Sequence, residues 1–538
     1  MATAPGKDKA TKRAELTRRL MQLAPKSRLD TLLDSTDARG LVRAVNAEDL
    51  YMTILDVGIS DATEIVQLAS PAQFKVFVDL AAWRKDRIDP LEVLTWLRAA
   101  RGDEPEDFME KLEAIDLELL ELVLRKFVVI HDLEEDPDVN PAGVTMESPE
   151  GKYLLEFTVE GVAQHGVRVL LNDIIAKNPF EAGRLFEALR WELPTELEEQ
   201  AYQFRVARLA DLGFPELYEA LALFTFIDPA KLEGPRPTPG ALVATEGHVD
   251  FVEAAFRGLD EKERGQVADE VRYLVNSALV AEGAEPGDPQ ALRKVSELAR
   301  DYLTLGLEHL CGGDPGLAAD QVRAHPLKRV FQLGFSLTLA LKFRLDRLAR
   351  EPFAKLGTRW AAFDEEVAML DALALRRPLK ALKVEGAEPV AFRSRREIAQ
   401  TQARLDRVER QREVFVALAG SGPSRFGDED TAEQRFLAAV AWAVAEGAPK
   451  LEPFPSSRLV ELGERLFEGE AKAPGLRASA VEKATTAVVG RAGGPLEEEA
   501  SAMVARALKR LASELGTPYL TEGRLEPTAI VGLPLVDG

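Results

Sequence analysis

The sequence has a single cysteine, Cys311, among its 538 residues. One thiol excludes an intramolecular disulfide and any zinc or iron–sulfur site held by several cysteines, and it is typical of a reducing compartment. The five histidines are scattered along the chain without the spacing of a metal site. We therefore expect no metal centre, no cofactor and a thiol at Cys311 that is buried and unreactive.

Long apolar runs are also absent. The longest, "VFQLGFSLTLALKF" (330–343), is interrupted by polar residues such as Gln332 and Lys342, and it is shorter than the ~20 residues that a membrane-spanning helix needs. The first residues are basic but lack the apolar segment of a secretory signal. These features predict a cytoplasmic protein without a membrane span.

Sequence motifs of common enzymes are missing as well. There is no GxxxxGK[ST] phosphate loop, no HExxH zinc motif and no GxSxG nucleophile motif. The stretch "GSGPSRFGD" (420–428) has glycines, but not at dinucleotide-binding spacing, and a helix is predicted before it. Reading the residues therefore identifies no catalytic side chain.

Charge of one sign dominates, with 90 acidic against 68 basic residues and a net charge of −22. Such a surface repels nucleic-acid phosphates, so we expect no nucleic-acid partner. Leu, Ala, Glu and Arg are abundant, and all four favour helices. Within 28–102 the apolar residues recur at helical spacing in segments of two or three turns, which must stack on their neighbours to be stable. The sequence predicts a mainly all-α, multi-domain protein of short helices stacked in a superhelix.

One phrase occurs twice, as "DVGISDATEIVQLAS" (56–70) and "DLGFPELYEALALFT" (211–225). In each copy a glycine, Gly58 or Gly213, follows a helical segment and can adopt the positive φ that ends a helix. Ser60 is then expected to cap the next helix, and Pro215 to occupy the first turn of its own. The repetition predicts related helical units at the two places.

Between these units the helical spacing of apolar residues is interrupted. Residues 144–161, "VTMESPEGKYLLEFTVEG", contain a turn signature between two β-prone runs, which predicts a small hairpin near 144–160. The acidic stretch "HDLEEDPDVN" (131–140) could hold a divalent cation through Asp132, Glu134, Asp136 and Asp138, or it could be a solvated loop. Trp83 and Trp96 are predicted to anchor the core.

These patterns divide the chain as follows. The predicted segments are a basic N-terminal arm and helix (1–27), helical-repeat unit 1 (28–130), an acidic loop and β-hairpin (131–164), helical-repeat unit 2 (165–228), a Pro/Gly linker (229–248), a C-terminal helical domain (249–420), a further helical bundle (421–515) and an irregular tail (516–538).

A basic patch stands out in this acidic chain. Its members lie within 21 residues: Arg376, Arg377, Lys380, Lys383, Arg393, Arg395 and Arg396. They could dock an acidic segment of a partner, a phosphate or an anionic lipid. Alternatively, they pair within the molecule, for example with the acidic stretch 103–138, or are simply solvated.

The phrases "DVGISDA", "LASPAQ", "DLAAW" and "DLGFPELYEA" carry a resemblance to a bacterial family of helical cytoplasmic proteins of about this length, without a known activity. More weakly, 41–102 resembles the cytosolic helical domain of magnesium transporters. That resemblance implies stacked short helices and ion sensing through acidic residues.

The favoured hypothesis is a non-enzymatic cytoplasmic scaffold or protein-protein interaction module. Two alternatives stay open. One is an enzyme with an interdomain site of carboxylates and arginines that forms no motif. The other is a divalent-cation-responsive regulator.

Overall fold

The computed structural model describes residues 23–537 except 103, 192, 233–248, 351–363, 383, 385, 420–425, 427–429 and 472. The predicted arm at 1–27 and linker at 229–248 thus lie mostly outside the described residues. Over the described part the chain is mainly helical, with a few short strands in small sheets, which confirms the predicted mainly all-α class. None of the helices described here combines the length and apolarity needed to cross a membrane.

Short helices fill the first part of the chain. They are α1 (Pro25–Leu33), α2 (Ala38–Val42), α3 (Ala47–Val57), α4 (Thr63–Leu68), α5 (Pro71–Ala81), α6 (Pro90–Ala100), α7 (Pro105–Ala114), α8 (Leu117–Arg125), α9 (Gly161–Lys177), α10 (Pro179–Trp191), α11 (Pro194–Asp211) and α12 (Leu217–Leu221).

Longer helices occur in the second part. They are α13 (Phe251–Gly258), α14 (Glu261–Glu282), α15 (Pro289–Leu310), α16 (Ala318–Ala324), α17 (Leu327–Leu348), α18 (Asp364–Ala374), α19 (Arg395–Ala419), α20 (Ala432–Glu446), α21 (Leu459–Leu466), α22 (Ala478–Ala492), α23 (Glu497–Leu511) and α24 (Thr517–Glu522). Residues 516–538, predicted to be irregular, therefore contain a helix.

The strands are β1 (Trp83–Arg84), β2 (Arg87–Ile88), β3 (Val128–Asp132), β4 (Thr145–Glu147), β5 (Tyr153–Phe157), β6 (Phe454–Pro455), β7 (Phe467–Glu470), β8 (Ala473–Leu476) and β9 (Leu535–Val536). Antiparallel β4 and β5 form the predicted hairpin. The sequence did not predict β3, which pairs with the other edge of β5. Val128 pairs with Phe157 and Asp132 with Tyr153, so the predicted acidic loop begins as a strand.

Side-chain caps explain many helix starts and some of the stacking. Ser70 and Gln73 form a reciprocal capping box at the start of α5. The Gln73 side-chain amide also donates to the carbonyls of Val42 (2.9 Å), the last residue of α2, and of Val45 (2.8 Å) in the turn that follows it. One buried side chain thus joins the N-terminus of one helix to the C-terminus of another.

The core of the N-terminal helices is aromatic. Trp83 and Trp96 are fully buried, as predicted. The Trp96 ring packs against Tyr51 at a centroid distance of 5.6 Å and against Phe77 at 5.5 Å. Because these side chains come from α3, α5 and α6, three short helices share one cluster.

For the phrase that occurs twice, at 56–70 and 211–225, the predicted positive φ of the glycines is confirmed, but the predicted starts of the following helices are wrong. Gly58 has φ 104° and Gly213 φ 87°. However, α4 begins at Thr63 without a side-chain cap, because residues 58–62 form an extra hydrogen-bonded turn in which the Ala62 amide donates to Gly58. Ser60 is therefore not a cap. Pro215 is also outside the next helix, since Glu216 is its N-cap.

The chain divides into two compact units. The first contains residues 1–223 and 268–297, and the second contains 224–267 and 298–538. In the second unit α20 is buried on nearly all sides and lies in a core shared with α21, α22 and α23.

Candidate functional site

A cleft of about 590 Å³ opens in the first unit between the pairs α7–α8 and α9–α10. Its lining comes from both pairs: Met109, Leu112, Glu113, Ile115, Leu117, Leu120, Glu121, Ile174, Lys177, Asn178, Glu181, Arg184, Leu185 and Ala188. The volume lies in the range of small-ligand pockets.

Two tight helix corners border the cleft. Asn178 is the residue between α9 and α10, and its side-chain oxygen accepts from the amides of Phe180 (3.2 Å) and Glu181 (3.4 Å). It therefore caps α10 while Pro179 occupies the first helical position. Opposite, only Ile115 and Asp116 separate α7 from α8. Short connections of this kind hold each pair of helices in a fixed geometry.

The floor of the cleft is apolar. Met109, Leu112 and Leu120 from the α7–α8 pair are buried, as are Ile174 and Leu185 from the α9–α10 pair. These aliphatic side chains carry no group that could act as an acid, a base or a nucleophile. The floor can therefore bind apolar side chains, and chemistry at this place could come only from the rim.

The rim is charged and largely paired. Lys177 forms an ion pair with Glu113 across the cleft, and Arg184 lies 3.5 Å from Glu181 on the same helix. Glu121 is buried and already interacts with other groups. Both cations that line the cleft thus have carboxylate partners, so the rim resembles the polar border of an interface.

An acidic stripe runs beside the cleft along α7. Glu106, Glu110 and Glu113 occur at i, i+4 and i+7, which places them on one face of the helix. All three are exposed, and Glu113 also lines the cleft. No ion-pair partner for Glu106 or Glu110 occurs within the described part of the chain. Glu106 and Glu110 therefore place negative charge beside the cleft, whereas Glu113 in its lining is paired with Lys177.

Exposed apolar side chains extend this surface. Leu117 at the start of α8 is 58% exposed, Phe180 at the start of α10 is 74% exposed, and Trp191 at its end is 69% exposed. Phe180 and Trp191 are eleven residues apart, so they lie on nearly the same face of α10. Large exposed aromatic residues of this kind are enriched at protein interfaces.

The predicted basic patch lies in the second unit, and Lys383 lies outside the described residues. Backbone hydrogen bonds between Lys380 and Val390 (2.7 and 3.0 Å) bring the two halves of the patch together. Lys380 pairs with Glu397, and Arg393 lies 3.6 Å from Asp301.

The remaining members of the patch differ in their surroundings. Arg376 and Arg396 are exposed. The Arg377 guanidinium lies 3.9 Å from the centroid of the Phe224 ring, and burial lowers the pKa of Arg377 to about 10. The amide of Arg395 donates to Glu308 at 2.7 Å. Docking at this patch stays a prediction.

One carboxylate of the predicted acidic loop, Asp132, already has hydrogen-bond partners within the chain. Asp132 is buried, accepts from Arg190 at 2.9 Å and accepts from the Glu134 amide at 2.9 Å. Glu134, Asp136 and Asp138 are exposed. Within the ranges described by the structure, no three His, Cys, Asp or Glu side chains come together as a metal site.

A hydrogen-bonded cluster next to this loop ties α10 to the sheet. The Tyr153 hydroxyl donates to Glu187, and Lys152 donates to the same carboxylate at 3.0 Å. These donors lower the pKa of Glu187 to about 2. Because the carboxylate is held by Tyr153, the first residue of β5, and by Lys152 directly before it, we interpret the cluster as structural.

Motif reading did not find the cleft, since no catalytic or metal-binding pattern marks it. Two signals were present in the sequence: the Glu106, Glu110 and Glu113 spacing, and the Phe180 and Trp191 spacing. Both indicate helix faces, but neither indicates which faces meet.

No curated protein and no solved structure matches this chain. A family model does match, over residues 5–536, and its description is a family of unknown function. The resemblance to a family without a known activity is thus confirmed, and this chain belongs to the family of unknown function DUF6178.

Proposed function

We propose that this protein is a protein-protein interaction module whose cleft between α7–α8 and α9–α10 binds an amphipathic helix with basic residues beside its apolar face. The observation that supports this most directly is an apolar cleft bordered by an acidic stripe. An amphipathic helix in a groove presents apolar anchors at i, i+3 or i+4, and i+7.

A helix fits the surface better than a small molecule does. Phe180 extends the apolar surface beyond the lining of the cleft, and a ligand confined to the 590 Å³ of the cleft would leave it exposed. A helix lying along the cleft can cover Phe180 together with Leu117, with its apolar side chains on the floor formed by Leu112, Leu120 and Leu185.

The acidic stripe on α7 favours a partner helix that carries basic residues. Glu106 and Glu110 lie on the same stripe as Glu113, so lysines or arginines beside the anchors of the partner would meet negative charge. Such complementarity speeds association and excludes acidic partners.

Photo-crosslinking in cells of the native host tests the proposal. A benzophenone amino acid replaces Glu181, whose side chain lines the cleft and is 56% exposed. The matched control places it at exposed Glu482 in α22. We expect adducts from position 181 alone, and mass spectrometry should locate them in a basic amphipathic segment of another protein.

Two other outcomes have defined meanings. Adducts in an acidic or non-helical segment, or none that depend on position 181, contradict the proposal. Adducts in a second copy of this chain replace the proposed partner by self-association.

Charge reversal gives the first quantitative prediction. Glu106→Lys with Glu110→Lys should weaken capture of the crosslinked partner segment, measured as a synthetic peptide by fluorescence anisotropy, by about tenfold at low salt. The effect should shrink as salt rises, because exposed charges are screened. The control, Glu482→Lys with Glu498→Lys, makes the same change in net charge at exposed positions of the second unit and should leave the affinity unchanged.

A cytoplasmic location belongs to the proposal, on the basis of the single cysteine. The resemblance to the helical domain of magnesium transporters, a cation-responsive role and an interdomain enzyme site stay as predictions from the sequence. None has a contact among the described residues that favours it over the cleft.

A further inference from the structure

A second, smaller pocket of about 230 Å³ lies in the first unit, at the contact of α6 and α7 with the N-terminal half of α9. We call it the basin. Its lining residues are Leu94, Leu97, Arg98, Arg101, Phe108, His165, Gly166, Val169 and Leu170. No carboxylate is among them, although the chain carries 90 acidic residues.

The base of the basin is apolar. Leu94, Leu97, Phe108 and Leu170 are all buried. A pocket of 230 Å³ equals the volume of about eight waters in the liquid. A ligand of roughly ten non-hydrogen atoms with an apolar body would fit this space.

The mouth of the basin is cationic. Arg101 is neutralised by Asp173, to which its guanidinium donates at 2.7 and 3.3 Å. Arg98 and His165 are exposed at the mouth, and within the described ranges neither has a carboxylate partner. Arg98 is therefore the charge that an anion entering the basin would meet.

The fold holds Arg98 in place through a glycine. A methyl group on Gly166 would lie 3.0 Å from the Cδ of Arg98 and 3.5 Å from a methyl of Leu94. The absence of a side chain at 166 therefore lets the stem of Arg98 lie directly against α9. Arg98 stays exposed while its stem lines the basin.

We propose that the basin binds a small amphiphilic anion, with its carboxylate or phosphate on Arg98 and His165 and its apolar body on Leu97, Phe108 and Leu170. This site is separate from the cleft and does not depend on the function proposed for it. Both head groups share one chemistry, a negatively charged oxygen that accepts from a guanidinium. Two probes distinguish them: octanoate for a carboxylate and phenyl phosphate for a phosphate monoester.

Titration calorimetry and NMR line broadening with the full chain test this proposal. We expect at least one probe to bind below millimolar concentration, and octanol, which has no charge, to bind at least tenfold more weakly. Arg98→Gln should weaken binding of that probe about tenfold or more. His165→Gln should weaken it less. Arg510→Gln, which removes one exposed cation in the second unit away from both pockets, should leave it unchanged.

Four results would overturn the assignment. Three of them are no binding of either probe at millimolar concentration, equal affinity for octanol and octanoate, and unchanged affinity in the Arg98→Gln protein. Equal affinity for inorganic phosphate and phenyl phosphate would show that the apolar base is not used, and it would also reject the proposal.

Discussion

At the scale of single residues, burial sets the chemistry of Cys311. The side chain is 1% exposed at the end of α15. Burial raises the pKa of the thiol to about 12, and the nearby charges of Asp314 and Glu308 act in the same direction. The folded chain therefore keeps its single thiol protonated at neutral pH. Since the thiolate is the reactive form, this thiol should react slowly.

The reactivity of Cys311 follows from this pKa. At pH 8 a thiol of pKa about 12 is roughly one part in ten thousand thiolate, whereas an exposed thiol of pKa ~8.5 is about a quarter thiolate. We expect iodoacetamide to alkylate Cys311 at least about a thousandfold more slowly than an exposed thiol. Mass spectrometry of timed samples measures the rates.

The matched control for this comparison is Ser479→Cys in a Cys311→Ala background, because Ser479 is exposed on α22. Concentrated urea should make Cys311 as reactive as this control. Rates in the folded chain that differ only a few-fold between the two thiols would contradict the burial of Cys311.

At the scale of elements, the second unit depends on a close helix crossing. A methyl group on Gly334 of α17 would overlap the backbone carbonyl of Tyr302 in α15. Gly306 of α15 similarly faces the backbone of Val330, with a methyl group there 2.9 Å from the Val330 side chain. The two backbones approach so closely because neither helix has a side chain at the crossing.

Substitution at the crossing should force the helices apart. Gly334→Ala is expected to destabilise the second unit by about 1–3 kcal/mol, the usual cost of overpacking. Hydrogen exchange of the α17 amides measures the change within this unit, which matters because a chain of two units need not unfold in one step.

The control is Gly265→Ala in α14. That glycine is exposed, and a methyl group on it would have nothing within 4 Å. Since alanine has the higher helix propensity, this change should stabilise the helix by about 0.5–1 kcal/mol. Equal effects of the two substitutions would argue against the close crossing.

At the scale of the whole molecule, residues far apart in the chain complete the same core. Leu533 is 2% exposed in the core that contains α20, and β9 pairs in parallel with β6. The Gln434 side chain in α20 donates to the carbonyl of Val531 at 2.9 Å. Residues near 531–536 therefore pack against the core around α20, a helix that begins about a hundred positions earlier in the chain.

Removing the Leu533 side chain tests this role. Leu533→Ala should destabilise the core around α20 by about 2–5 kcal/mol, because it leaves a buried cavity. Val531→Ala is the neighbouring control and should change stability by less than about 0.5 kcal/mol, since Val531 is 79% exposed. Exchange rates of the α20 amides measure both changes, and similar rates in the two variants would contradict the prediction.

The sequence by itself determined the local features of this protein. Helical spacing and capping residues predicted the mainly helical fold, and turn residues predicted the β4–β5 hairpin. The positive φ at Gly58 and Gly213, and the burial of Trp83 and Trp96, were also predictable. These features depend on a residue and its near neighbours, or on how strongly a side chain avoids water.

Only the tertiary structure decided which surfaces meet. The start of α4 depends on an extra turn after Gly58, and β3 forms because β5 offers it a free edge. The cleft exists because two helix pairs stand opposite each other, and the basin because Gly166 admits Arg98 against α9. Contacts between residues distant in sequence depend on the packing of whole elements, and local pattern carries no information about that packing.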